Sequence, residues 1–251
     1  MYKPNLFQIF FLAFFILTSP ALAAKEKSED GKSDKEIPDK IQKMIDEHRK
    51  KWCHVTWDPK INIVPITDKV KYDYSLSTKE LSTFHIDTDS PYDDDVITDV
   101  GGLMSGRINI DHEIELDEEY HDGLHCFFYK EINVEIAISP KVYIAKEYPK
   151  GTCMFDEIKK HENKHVLVDR KVVNKYAKKV GIKLVDLINE EMLVGPVREK
   201  DSQLATDYLR NKVKAEINYI AKQMYDERNR RQQLVDSLGE YQDVTDNCRE
   251  R

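Results

Sequence analysis

The sequence lacks long apolar runs, an excess of basic residues and internal repeats, and two of these absences limit what the protein can do. After residue 24, no apolar run approaches the roughly 18 residues that a membrane-spanning helix needs, so we expect no stable membrane insertion of the remaining chain. The 39 basic and 46 acidic residues give a net charge of −7, and no strongly basic patch stands out. A nucleic-acid partner is therefore not expected.

The first 24 residues have the pattern of a secretory signal peptide. Lys3 precedes an apolar run over residues 10–17, and Ala21 and Ala23 supply the small residues of a cleavage site. The alternative, an uncleaved anchor, would need a longer apolar run. No cysteine directly follows the cleavage point, which argues against a bacterial lipid anchor. Residues 25–37 predict a disordered leader. We expect an exported protein, either periplasmic or secreted.

Cysteine is also scarce, and its four positions all lie beyond the signal segment, at Cys53, Cys126, Cys153 and Cys248. An even number in an exported chain favours two disulfides over free buried thiols. Four cysteines allow three pairings, of which we favour Cys126–Cys153 with Cys53–Cys248. The first would tie a strand to the start of a helix, and the second would join the two ends of the domain.

Residues 38–248 are expected to form one domain that is strand-rich over residues 53–148 and helical over residues 152–238. This order predicts an α+β fold. The strongest strand signal lies at residues 126–139, where apolar and polar residues alternate until Pro140. The other elements predicted before residue 150 are a helix at about 37–51, strands within 55–74 and at 107–111 and 142–145, a capped helical turn at 77–81 and a solvated acidic loop at 87–99.

The apolar period changes from 2 to about 3.6 residues after Gly151, which predicts a helix. Thr152 is a suitable N-cap, and acidic residues follow it in the first turn. The apolar stripe of this helix contains Met154, Ile158, His161, His165, Val168, Val172, Tyr176 and Val180. Gly181 is expected to end the helix, and two further helices are predicted at about residues 182–193 and 198–238.

The pattern His-Glu-x-x-His spans residues 161–165 of this helix. His161 and His165 are one turn apart on the same face, which allows both imidazoles to bind one Zn²⁺. Glu162 lies about 100° around the helix, where it can reach a water on the metal and act as its general base. Because both histidines fall on the apolar stripe, we favour metal binding over a pair of hydrogen-bonded core histidines.

A catalytic zinc site needs a third protein ligand. Val168 and Lys171 stand where the long metzincin pattern requires glycine and histidine, so that class is excluded. Asp169 is about 12 Å along the helix from His161, too far for the same metal, and it is interpreted as an acceptor for a ligand imidazole or as a surface acid. The remaining candidates are Glu190, Glu191, Glu216, Asp236 and Glu240, with His121 and His125 as weaker ones.

These pieces together resemble a largely uncharacterised family of bacterial predicted secreted zinc-dependent proteases. The matching segments are residues 72–81, the cysteine-led strand at 126–139 with Pro140 and the extended residues after it, Cys153, residues 161–165 and residues 232–236. The resemblance covers most of residues 70–240, although the tryptophan that often precedes the helix in such proteins is absent. It implies that His161 and His165 bind zinc and that Glu162 is the catalytic base.

The sequence therefore predicts an exported zinc metallopeptidase with a zincin-like fold, in which an antiparallel or mixed sheet precedes the active-site helix. Its expected substrate is a peptide or protein that adds as a strand to an open edge at residues 126–138 or 142–146. Two alternatives stay open. One is a non-catalytic exported binding protein with a structural zinc, and the other is a metal-free envelope interaction protein whose long C-terminal helix binds a partner.

Overall fold

The computed structural model describes residues 52–54, 58–84, 88, 90 and 100–249, all within one compact unit, Lys43–Arg251. The predicted signal peptide, the leader, the helix at about 37–51 and nearly all of the acidic loop at 87–99 lie outside the described residues. None of the helices in the described ranges has the length and apolar character that a membrane span needs.

The described strands form two mixed sheets, mostly from the part of the chain before residue 145. The larger contains β1 (Lys60–Thr67), β4 (Ile108–His121), β5 (Leu124–Ile138) and β7 (Leu193–Arg198), and the smaller contains β2 (Lys71–Asp73), β3 (Gly102–Ser105) and β6 (Lys141–Ile144). In the larger sheet β1 is parallel to β5, whereas β4 and β7 are antiparallel to it. In the smaller sheet β6 lies between β2, which is parallel to it, and β3, which is antiparallel.

This topology contradicts the predicted open edges. Along β5, β4 occupies one side, and β1 and β7 occupy the two halves of the other side. β6 also has a strand on each side. An extended peptide therefore cannot add to residues 126–138 or 142–146. Alternation along a strand shows that one face is buried, but it does not show how many neighbours the strand has.

The described helices follow the sequence signals with two exceptions: one helix extends past Gly181, and the helix at Leu238–Arg249 was not predicted. They are α1 (Thr78–Leu81), α2 (Cys153–Glu190), α3 (Ser202–Val235) and α4 (Leu238–Arg249), with a 3₁₀ turn at Glu199–Asp201. The capping box between Ser77 and Glu80 is present at the start of α1, as expected. Thr152 caps α2, since its hydroxyl accepts a hydrogen bond from the backbone N–H of Phe155.

Gly181 does not end α2, which continues for nine more residues. A Cβ at this position would be 3.4 Å from Cγ1 of Ile63 on β1, so the helix lies close against the sheet there. The buried stripe continues through Val180, Leu184 and Ile188. The packing of this stripe outweighs the roughly 1 kcal/mol that glycine costs inside a helix. The separate helix predicted at 182–193 is therefore the last part of α2.

The main core lies between the larger sheet and the antiparallel pair α2 and α3. Alternate residues of β5, namely Ile132, Val134, Ile136 and Ile138, are buried there with apolar residues from both helices. A second, smaller core contains Val142 and Ile144 of β6 packed against Phe155, Ile158 and Val166. The N-terminal half of α2 is thus fixed by the smaller sheet. The chain is an α+β protein with mixed sheets and a helical C-terminal part, as predicted.

Two disulfides are present as expected, but both favoured pairings are wrong. Cys53 pairs with Cys126, and Cys153 pairs with Cys248, with Cα atoms 5.7 and 5.6 Å apart. The first joins the segment before β1 to β5. The second joins the start of α2 to the end of α4. The Cys153–Cys248 pairing depends on the packing of α4 along α2, and no local sequence signal predicts that contact.

Candidate metal centre

His161 and His165 lie on the buried face of α2, in the half that the smaller sheet covers. Their rings are 5.1 Å apart and nearly perpendicular. Both side chains are at least nine-tenths buried, as the apolar stripe predicted, and Lys164 between them is exposed. Since the i and i+4 positions place both Nε2 atoms on one side of the helix, any third group facing them must come from a different element.

That third group is Asp236, the residue directly after α3. Because α3 is antiparallel to α2, its C-terminal end lies beside the N-terminal half of α2. Oδ1 of Asp236 is 3.2 Å from Nε2 of His161 and 3.1 Å from Nε2 of His165, and the two Nε2 atoms are 3.3 Å apart. Among the described residues these three form the group of histidine and carboxylate side chains that could hold a metal ion.

The three distances match the edges of a metal coordination shell. In a tetrahedral site with ligands 2.0–2.1 Å from zinc, neighbouring ligand atoms are about 3.3 Å apart. The three observed separations lie between 3.1 and 3.3 Å. The arrangement leaves a fourth vertex that none of these three residues supplies. The residues present therefore fit a small, tetrahedral divalent cation.

Gln232 fixes the tautomer of His165. Its Nε2 donates a hydrogen bond to Oδ1 of Asp169 at 2.7 Å, and a carboxylate can only accept. Oε1 of Gln232 must then be the atom that faces Nδ1 of His165, at 2.6 Å. Nδ1 therefore carries the hydrogen, and Nε2 of the neutral imidazole presents its lone pair to Asp236. Hydrogen bonds of this kind orient metal-binding histidines.

Nε2 of neutral His165 and Oδ1 of Asp236 are both electron-rich, so their close approach requires a positive charge between them. Without a metal, a proton must supply it. Burial lowers the pKa of His165, but the hydrogen bond to Asp236, the negative charges of Glu162 and Asp236 and the hydrogen bond to Gln232 together outweigh burial and raise the pKa overall. Although burial opposes the shift, hydrogen bonds from His161 and His165 hold the pKa of Asp236 far below its usual range. A metal cation would replace this proton.

Asp169 is neither a direct acceptor for an imidazole nor a surface acid, so both sequence interpretations of it were wrong. It is fully buried and pairs with Arg228 of α3, whose Nε donates to Oδ1 at 2.8 Å. The same oxygen accepts the hydrogen bond from Gln232. Asp169 therefore affects His165 indirectly, because it sets the orientation of the Gln232 amide that contacts His165.

Glu162 lies beside the three converging side chains and faces β3. Its pKa is raised to about 7 by burial, which outweighs the opposing charges of His165 and His161 and a hydrogen bond from the backbone of Met104. A carboxyl group with a pKa near neutrality can both accept and release a proton at neutral pH. A divalent cation bound next to it would favour its charged form.

Gly102 of β3 allows the close approach of Glu162. A Cβ at this position would be 2.5 Å from Cγ2 of Ile158 and 2.7 Å from Oε1 of Glu162. Neither α2 nor the strand can give way easily, because the second core fixes both. The absence of a side chain at Gly102 is therefore a condition for the position of the Glu162 carboxylate.

Replacing Gly102 by alanine is expected to destabilise the protein by about 1–3 kcal/mol, the usual cost of overpacking. The matched control is Gly239→Ala, because a Cβ there meets no atom within 4 Å. That control is expected to leave stability unchanged or to raise it by up to about 1 kcal/mol through helix propensity. Urea unfolding followed by circular dichroism measures both. Equal midpoints for the two variants would contradict the close approach.

The structure places the other predicted third ligands away from the histidines. Glu190 is about 37 Å along α2 from His165, given 1.5 Å per residue, and with Glu216 it lines a separate cavity of about 350 Å³. Glu191 binds Lys212 and Tyr208. Glu240 of α4 is near the site but pairs with Lys164.

His121 and His125 are not part of the site either. His121 is exposed and lies 3.7 Å from the carboxylate of Asp122. His125 lies between two carboxylates, with Nδ1 bonded to Glu118 and Nε2 bonded to Glu199 at 2.8 Å. It therefore has a structural role at the end of the larger sheet.

Gln232 and Tyr241 contact the site but had no role predicted from the sequence. Gln232 and Asp236 are four residues apart, so the end of α3 presents both to the same face of α2. This spacing, opposite a pair of histidines, is the signal that could have singled out Asp236. Tyr241 of α4 is the second omission, since its hydroxyl donates to Oδ1 of Asp236 at 3.2 Å.

No protein-family model matches this chain, no curated protein matches its sequence, and no solved structure matches its fold.

Proposed function

We propose that this protein is an exported zinc-dependent peptidase. In this proposal His161, His165 and Asp236 hold Zn²⁺, and Glu162 is the general base. The observation that carries the proposal is the convergence of two Nε2 atoms and one carboxylate oxygen within 3.3 Å of one another, with a buried glutamate beside them. The predicted resemblance to secreted zinc-dependent proteases supports it through the same residues, 161–165.

The donor set supports zinc more than other cations. Two imidazole nitrogens and one carboxylate oxygen are the ligands of several catalytic zinc sites with an open fourth position. The same three ligand types also hold non-haem Fe(II) in oxygenases, where they occupy one face of an octahedron. The glutamate next to the first histidine favours hydrolysis, because a water-activating base is needed there and has no role in binding iron.

In the proposed hydrolysis of a peptide, different residues of the chain have different roles. When bound, Zn²⁺ would act as a Lewis acid and would lower the pKa of a bound water toward 7. Glu162 takes a proton from the attacking water and passes it to the nitrogen of the leaving amine. Gln232 keeps the hydrogen of His165 on Nδ1, so that Nε2 remains a ligand. The buried Asp169–Arg228 pair holds the amide of Gln232 in the required orientation.

Export is part of the same proposal. Two disulfides are typical of proteins that fold in an oxidising compartment, and the described residues contain no free cysteine. The N-terminal pattern of residues 1–24 is the second support.

Elemental analysis of the purified protein tests the metal assignment. The protein with residues 1–24 removed is expected to retain about one zinc per chain after exhaustive dialysis. The His161→Ala variant is expected to retain less than about a tenth of that amount, because two donors rarely compete with buffer ligands. His121→Ala is the control, since that histidine is outside the site. The proposal would be contradicted if the unaltered protein retained less than about half an equivalent of zinc and the His161→Ala variant retained the same amount.

A structural metal is the second candidate function, and the burial of the site favours it. His161, Glu162, His165 and Asp236 are each only 5–7% exposed. A structural zinc site is closed by a fourth protein ligand, whereas a catalytic site keeps one position open. The two candidates differ in peptide cleavage. A structural metal predicts no cleavage by either the unaltered protein or Glu162→Gln, whereas a catalytic metal predicts cleavage that Glu162→Gln loses.

A further inference from the structure

Helix α4 lies antiparallel to the N-terminal half of α2 and covers the metal centre. The two helices meet at successive turns, and these contacts extend on both sides of His161. From the end of α4 to its start, the contacts are Cys248 with Cys153, Asn247 with Glu157, Tyr241 with His161 and Glu240 with Lys164. The side chain of Val244, between them, packs on the smaller core.

Tyr241 brings α4 into direct contact with the proposed metal ligands. Its hydroxyl oxygen is 3.2 Å from Oδ1 of Asp236, and its ring lies 5.2 Å from the ring of His161. This distance of 3.2 Å lies within the range of 3.1–3.3 Å that separates the three proposed ligand atoms from one another. The phenol oxygen thus stands at ligand spacing from Asp236, on the side that His161 borders.

The weak burial of α4 contrasts with that of the helices it covers. None of its twelve residues is fully buried, whereas α2 and α3 each bury ten or more side chains. It follows α3 after only Asp236 and Ser237. Segments with few buried apolar contacts are the ones that open most readily. The Cys153–Cys248 disulfide ties the end of α4 to α2, so the part of α4 that moves most easily is its first turns, which carry Tyr241.

We propose that Tyr241 occupies the fourth position around the metal, so that α4 holds the site closed and must move before a peptide enters. This inference rests on the proposed function, because it takes His161, His165 and Asp236 as metal ligands. It also explains how Glu162 can be both buried and catalytic, because no peptide reaches Glu162 until α4 moves. When α4 moves, a water or the carbonyl oxygen of a peptide would take the position of the Tyr241 hydroxyl.

Cobalt substitution tests this closure without relying on activity. Co²⁺ is added to metal-free protein, and its visible absorption reports the number and type of ligands. Tyr241→Phe is expected to change the cobalt spectrum. Azide is expected to bind to cobalt at least about tenfold more tightly in this variant than in the unaltered protein, because a position is open. Tyr219→Phe is the control, since Tyr219 is 61% exposed on α3. It is expected to match the unaltered protein.

The outcomes separate this inference from the proposed function. If Co²⁺ binds and the spectra and azide affinities of Tyr241→Phe and the unaltered protein are identical, Tyr241 does not close the site, although the metal assignment stands. If neither protein takes up Co²⁺, the proposed function fails and the closure fails with it. Peptide cleavage is a second measurement: Tyr241→Phe is expected to lower KM and to keep or raise kcat. A fall in kcat with unchanged KM would instead make Tyr241 a participant in the chemistry and overturn its role as a cover.

Discussion

Glu162→Gln is expected to lower the rate of peptide cleavage by about 10²–10⁴-fold, the usual contribution of a general base. Glutamine has the same shape as glutamate and keeps the contact with Gly102, but it cannot take a proton from water. Zinc content is expected to stay at about one per chain, because Glu162 is not one of the converging ligands. Cleavage of a fluorescent peptide library and elemental analysis measure the two quantities on the same samples.

The control for this prediction is Glu157→Gln, which removes another buried carboxylate from the same helix. Glu157 lies one turn before His161 and contacts Lys160 and Asn247. This variant is expected to keep most of the activity. If Glu162→Gln cleaves peptides at the rate of the unaltered protein while zinc is bound, Glu162 is not the base and the mechanism is wrong.

Asp236→Ala is expected to weaken zinc binding by at least about 100-fold, because it removes one of three ligands. Loss of a group that only supports a ligand already costs 10–100-fold. Competition with a fluorescent zinc chelator gives the dissociation constants. Glu240→Ala is the matched control, since Glu240 is also an acid close to α2 but pairs with Lys164. It is expected to change zinc affinity by less than about threefold.

Either of two results would contradict the assignment of Asp236. One is an unchanged dissociation constant in Asp236→Ala. The other is a larger loss in Glu240→Ala, which would move the third ligand onto α4. Circular dichroism of the metal-free variants separates a lost ligand from a lost fold, because an intact α3 keeps its helical signal.

The parts of the fold that depend on local pattern could be predicted from the sequence. The alternation in residues 126–139 predicted β5, and the period of 3.6 predicted the buried face of α2 with both histidines on it. The capping box at Ser77 and the N-cap at Thr152 were also predictable, because a cap depends on residues within one turn.

The parts that depend on long-range contacts could not be predicted. Gly181 has the local signal for a helix end, yet the packing of α2 on β1 overrides it. Cys153 pairs with Cys248 because α4 turns back after Asp236, and no neighbouring residue records that turn. Asp236 stayed one of five candidates for the same reason, since only the antiparallel arrangement of α2 and α3 brings it to the histidines.

The three side chains that could hold a metal come from two helices of one hairpin and are far apart in the sequence, and this fixes the order in which the site can be assembled. Asp236 is 75 positions after His161. A chain that has emerged only as far as α2 offers two imidazoles, and it cannot offer the carboxylate until α3 has folded back along its whole length. Closing so long a loop must precede completion of the three-residue site, because its members are far apart in the unfolded chain. Metal uptake would therefore report the completed maturation of the hairpin, and under the proposed function a chain still in transit would be unable to cleave itself or its neighbours.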